Sequence, residues 1–100
     1  IMSNILLLCA SGVTSSLLAQ KLNRLVENDL NGYNLITCSI CDVARYADDT
    51  SIMLLTPQVR FNYDKIQQMY SDKHILKIDN KDYKQLNIDN ILEMIKNQIY

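Results

Sequence analysis

Three observations predict a small doubly wound α/β fold, a four-stranded parallel sheet flanked by helices. Four apolar, strand-like runs each lead into a helical or partly helical stretch. A parallel pair needs a crossover between its strands, so such alternation builds a parallel sheet. The helical stretches carry apolar residues at intervals of three and four, the spacing of one buried face. The 100 residues, 48% of them hydrophobic, can bury one modest core, so a single domain over residues 1–100 is expected.

The first run, Asn4 to Leu8, enters Cys9 and then a loop rich in small and hydroxyl residues. The helix behind that loop is expected to bury Leu17, Leu18, Leu22, Leu25 and Val26 and to turn Gln20, Lys21, Arg24 and Glu27 outward. Asn31 and Gly32 end the connection and start the second run, Asn34 to Ile40. Within it Ile36, Cys38 and Ile40 alternate on one face, which makes Cys38 a core residue. A short helix around Val43 to Ala47 is expected before the third run, Ser51 to Leu55.

That third run leads into the loop TPQV, Thr56 to Val59, and then a helix marked by Val59, Tyr63, Ile66 and Tyr70, with Met69 beside the stripe. Pro57 either stiffens the loop or simply starts the helix, and Gln58 can donate or accept hydrogen bonds. The fourth run, His74 to Ile78, precedes a last helix with Ile88, Ile91, Leu92, Ile95 and Ile99 inward and Asn87 placed as its N-cap. His74 is read as structural, not as a ligand or a base.

Composition excludes several functions. A formal net charge of −1, with basic and acidic residues interleaved, leaves no basic stripe for a nucleic acid. The longest wholly apolar run, Ile5 to Ala10, is far too short to cross a bilayer, so no membrane insertion is expected. Ile1 stands before Met2 and is left out of the reading. LLLC is not a lipid-attachment site, because no Lys or Arg precedes the apolar run and Leu8 stands where a small residue is needed. The three cysteines cannot all pair within the chain, and with no secretory signal visible a reducing cytoplasm is expected. Cys38 and Cys41 form a CxxC, yet no second ligand pair completes a zinc site. Neither metal nor cofactor is called for.

The segment from Cys9 to Ser16 carries the chemistry. Ala10, Ser11 and Gly12 let the chain curl tightly after the strand, so that backbone N–H groups can converge at the positive end of the next helix. An anion belongs there, and Ser11, Thr14, Ser15 and Ser16 add hydroxyl donors. The same field favours thiolate over thiol, so Cys9 is read as a nucleophile and not only as a small hydrophobe. In a doubly wound sheet, ligands bind at the carboxyl ends of the strands near a switch in strand order, where the Cys9 loop and the TPQV loop should meet.

The loop is neither a nucleotide-binding P-loop, which needs Lys then Ser or Thr after its last Gly, nor a dinucleotide fingerprint, which needs three spaced glycines. A cysteine phosphatase would carry an Arg where this chain has Ser15. Without that guanidinium, charge on a phosphoryl group attacked by water is less well neutralised, so a phosphocysteine here should wait for a particular acceptor.

On these residues the chain resembles the IIB component of the bacterial sugar phosphotransferase system, in its lactose/cellobiose (chitobiose) branch. The resemblance rests on a strand entering a cysteine, the loop CASGVTSS, the helix LLAQKL, and the later segment IMLLTPQVRFNYDKIQ. It implies a protein-phosphocysteine–sugar phosphotransferase. Cys9 would take a phosphoryl group from a phosphohistidine on a IIA protein and pass it to a sugar held by the membrane permease IIC. Ala10, Ser11, Gly12, Val13, Thr14, Ser15 and Ser16 would cradle the phosphate, with Pro57 and Gln58 as loop or partner contacts. The alternatives are a regulatory IIB-like phosphoacceptor that never serves a transporter, and a degenerate cysteine phosphatase or thiol reductase, which the missing Arg disfavours.

Overall fold

The computed structural model describes residues 3–10 and 16–100. Its strands are β1 (Ser3–Cys9), β2 (Tyr33–Ser39), β3 (Thr50–Leu55) and β4 (His74–Lys77), and its helices are α1 (Ser16–Asp29), α2 (Val43–Tyr46), α3 (Tyr63–Met69), α4 (Asn80–Lys84) and α5 (Ile88–Ile99). Short 3₁₀ turns Ile40–Asp42 and Ala47–Asp49 flank α2, and Pro57–Asn62 precedes α3.

All strand pairs are parallel, in the order β2-β1-β3-β4. Alternation along each strand divides the core in two. Ile5, Leu7, Ile52 and Leu54 pack beneath α1 and α5 against Leu18, Leu22, Val26, Ile91, Leu92 and Ile95. Leu6, Leu8, Met53 and Leu55 pack on the other face against Val43, Val59 and Ile66. Both central strands are therefore covered on two sides, which explains why β1 and β3 read as unbroken apolar runs. Strand order reverses at β1: the chain moves to one side to place β2 and to the other to place β3, and the carboxyl ends of strands at such a reversal are where folds of this kind bind their ligands.

The expected architecture is observed, and its local departures have physical causes. Leu17 is 46% exposed, because the buried stripe of α1 runs through Leu18, Leu22 and Val26, one residue out of phase with it. Val59 is buried as expected but lies in the 3₁₀ segment led by Pro57, so α3 begins only at Tyr63. Met69 is largely exposed.

Asn87 occupies the N-cap position of α5 as expected, its carbonyl accepting Ile91 N–H at 3.2 Å, but its side chain makes no capping hydrogen bond. Its N–H reaches the Asp82 carbonyl at 2.9 Å and Leu86 N–H reaches the Tyr83 carbonyl at 3.4 Å. Leu86 has φ +54°. This pattern closes the C-terminus of α4, and the Asn87 side chain donates to Asp82 Oδ1 at 3.0 Å. Asn87 thus joins the two helices, with its N–H and side chain committed to the end of α4 and its carbonyl to the start of α5. Gly32 has φ +89°, as the third residue of a Leu30–Tyr33 turn closed by Tyr33 N–H on the Leu30 carbonyl at 3.3 Å.

Candidate functional site

Cys9 is the last residue of β1, in register with Ser39 of β2, at the carboxyl end of a central strand beside the reversal of strand order. It is only 2% exposed. Its Sγ lies 3.7 Å from the Cys38 carbonyl oxygen, to which the thiol donates.

The residues on either side of Cys9 are each held by their carbonyl from a neighbouring strand. On the β3 side, the Leu8 carbonyl accepts from Thr56 N–H at 3.1 Å and from Thr56 Oγ1 at 2.9 Å. On the β2 side, Ser39 Oγ donates to the Ala10 carbonyl at 3.3 Å while accepting from Cys41 N–H at 3.1 Å. Thr56 is fully buried, and its hydroxyl also stands 3.2 Å from Gln58 Oε1. A hydroxyl has one proton, which serves Leu8, and the Gln58 amide can turn its NH₂ toward Oγ1 to complete that contact. The exposed Gln58 is thereby tethered to the buried end of β3.

Thr56, the first residue of the TPQV loop, bonds to Leu8 near the end of β1, whereas the expected meeting of the two loops themselves falls on residues outside those described. Pro57 occupies the first turn of the 3₁₀ segment, where its missing N–H costs nothing. Ala10 is an exposed bend just past β1. Ser11, Gly12, Val13, Thr14, Ser15 and the side chain of Ser16 lie outside the described residues. Helix α1, which begins at Ser16, carries no acidic residue in its first turn, so no side chain of its own offsets the positive end of its dipole.

Electrostatics separate the cysteines. Burial first, then negative charge on Cys9, then Asp42 push the Cys38 thiol up to about 11, so it is protonated at neutral pH and packs as part of the core. Cys41 is exposed, and all three cysteines are free thiols. Among the described residues no cluster of His, Cys, Asp and Glu could hold a metal ion, and no helix is long and apolar enough to cross a membrane.

Sequence reasoning missed Ser39 and the hydroxyl of Thr56. Both stand at the carboxyl ends of strands next to β1, and a hydroxyl residue at that position in a parallel sheet is the signal that could have flagged them.

What the sulfur-bearing strand end belongs to is decided by comparison. Residues 4–94 match the family described as PTS system, lactose/cellobiose specific IIB subunit. The chain belongs to this family. Membership gives the IIB chain a role in sugar phosphotransfer. Two solved structures share its fold: the cellobiose-specific phosphotransferase IIB component from Borrelia burgdorferi, at 24% identity and TM-score 0.75 over 97% of this chain and 91% of that one, and the lactose-specific IIB component domain from Streptococcus pneumoniae, at 20% identity and TM-score 0.73 over 93% and 97%. At such identities the likeness speaks for the fold alone. No curated protein sequence matches the chain.

Proposed function

We propose that this IIB chain is a cytoplasmic phosphoryl carrier, acting as one domain, in which Cys9 accepts a phosphoryl group from a phosphohistidine of a IIA protein and delivers it to a sugar of the cellobiose, chitobiose or lactose type bound by the membrane component IIC. The observation that carries the reading is the position of Cys9. It ends a central parallel strand at the reversal of strand order, where folds of this kind bind their ligands, in a chain whose family works in sugar phosphotransfer.

The chemistry follows in two displacements. In the first, the Cys9 thiolate attacks phosphorus, the P–N bond breaks, and the imidazole departs with the bonding pair as a neutral ring, its other nitrogen already protonated. In the second, a sugar hydroxyl oxygen attacks phosphorus and the S–P bond breaks. The sulfur leaves as thiolate while the hydroxyl proton passes to a base on the acceptor side. The loop Ala10 to Ser16, at the positive end of α1, would hold the phosphoryl oxygens in both steps.

Burial of Cys9 fits this cycle. As a thiol it has a proton to give the Cys38 carbonyl. A thiolate has none and is repelled by the same oxygen, so ionisation would break this contact and release the sulfur for attack. The test is a chase: protein labelled by phospho-IIA is mixed with IIC-bearing membranes and cellobiose, chitobiose or lactose. Label should leave the protein and appear on sugar. Label that stays on the protein with every sugar, while IIC is shown to bind them, would count against the transfer step.

A further inference from the structure

We propose that Ser39 and Thr56 are positioning residues for Cys9, a pair of hydroxyls that hold the carbonyls of Leu8 and Ala10, the residues before and after it, from the two neighbouring strands. The inference rests on the phosphoryl-carrier reading for its purpose, though not for its geometry. Leu8 and Ala10, the residues flanking Cys9, each present a carbonyl to a side-chain hydroxyl: Leu8 to Thr56 Oγ1 at 2.9 Å and Ala10 to Ser39 Oγ at 3.3 Å. A peptide is planar, so holding the Leu8 carbonyl fixes the plane that carries Cys9 N–H, while holding the Ala10 carbonyl restrains the residue that follows Cys9.

Neither carbonyl needs a hydroxyl merely to be satisfied. The Leu8 carbonyl already accepts Thr56 N–H at 3.1 Å, the bond that continues the β1–β3 ladder, so the Thr56 hydroxyl is a second donor on the same oxygen. Ala10 is exposed, and water could serve its carbonyl. Ser39 is itself held in place by Cys41 N–H at 3.1 Å, and Thr56 by complete burial. Donors fixed in this way set the direction in which the chain leaves β1, and with it the aim of Cys9 Sγ. Displacement at phosphorus requires the attacking and leaving atoms in line, a geometry that small misplacements degrade steeply. Gln58, tethered to Thr56 Oγ1 at 3.2 Å, extends the same support to the exposed rim of the site.

The test uses Thr56→Val, which keeps shape and N–H but removes the hydroxyl, Ser39→Ala, and the conservative variants Thr56→Ser and Ser39→Thr. Two readouts are taken on folded protein: alkylation of each cysteine by iodoacetamide, and phosphoryl uptake from phospho-IIA. Loosening the flanking peptides should free the sulfur from the Cys38 carbonyl, so Cys9 should alkylate at least about threefold faster in Thr56→Val and Ser39→Ala, with Cys38 unchanged. Phosphoryl uptake should fall about tenfold, as expected for lost alignment. Thr56→Ser and Ser39→Thr should restore both.

If Cys9 alkylates at the parental rate in both variants, or Cys38 speeds up in step with it, the hydroxyls do not position Cys9 and the proposal is overturned. If the parent takes no phosphate while alkylation responds as expected, the carrier reading falls and the positioning of Cys9 stands. If the parent takes phosphate and the variants match it in both readouts, the reverse holds.

Discussion

Alkali should destabilise this protein through one thiol. Cys38 is 5% exposed, and its burial, with negative charge on Cys9 and on Asp42, raises its pKa from the ordinary 9.0 to about 11. In the unfolded chain the thiol ionises near the ordinary value. Between the two values the folded state keeps a proton that the unfolded state has lost, so stability falls as pH rises. The contribution is complete below about pH 9, declines by about 1.4 kcal/mol for each pH unit above it, and levels off near pH 11, a total of roughly 3 kcal/mol. For a domain of this size that is a large fraction of the whole. Tyrosines and lysines titrate in the same range, so the informative quantity is the difference between the parent and Cys38→Ala, measured by urea unfolding across the range. Below about pH 9 the variant should be the weaker by about 1 kcal/mol, the cost of a small cavity. By about pH 11 the order should invert. A gap that stays constant with pH would refute the reasoning, because it would mean that Cys38 ionises equally in both states.

Leu54 is fully buried on β3 beneath α1 and α5, so Leu54→Ala should cost about 3 kcal/mol, read as a lower urea midpoint at unchanged slope; a loss under about 1 kcal/mol would contradict the packing described. Gly32→Ala should cost about 1 kcal/mol from its left-handed backbone alone, since a Cβ there meets nothing within 4 Å, and Gly32→Asn should lose less in the same assay. Leu17→Gln should change stability by no more than about 0.5 kcal/mol, given that Leu17 is 46% exposed. Leu18→Gln, which buries a polar amide in the α1 stripe, should cost several-fold more in the same denaturation experiment.

The strands were legible because burial on both faces forces unbroken apolar runs, as in Ile5 to Leu8 and Ile52 to Leu55. The long helices were legible from their spacing. Leu17 was misplaced because two adjacent leucines at a helix start both suit an apolar stripe, and only the phase of packing against the sheet selects Leu18. Helix α4 went unseen because five residues hold too little periodicity to register, and with it the commitment of the Asn87 side chain to Asp82 in place of a cap on α5. Cys9 stood out through local signals alone, a strand end followed by small residues. Ser39 and Thr56 did not, since their contacts with Ala10 and Leu8 depend on strand order and register, which bring together residues far apart in the chain.

The central claim, that Cys9 is the phosphoryl acceptor, is tested most directly by phosphorylating four proteins with phospho-IIA: the parent, Cys9→Ser, Cys38→Ala and Cys41→Ser. Intact mass would be measured first and the modified residue mapped afterwards. The parent should gain one phosphoryl group, on Cys9. Cys38→Ala and Cys41→Ser should gain it as well, because Cys38 is a protonated core thiol and Cys41 is an exposed residue of the turn after β2. Cys9→Ser should gain none. Label on any other residue of the parent, or undiminished uptake by folded Cys9→Ser, would contradict the account.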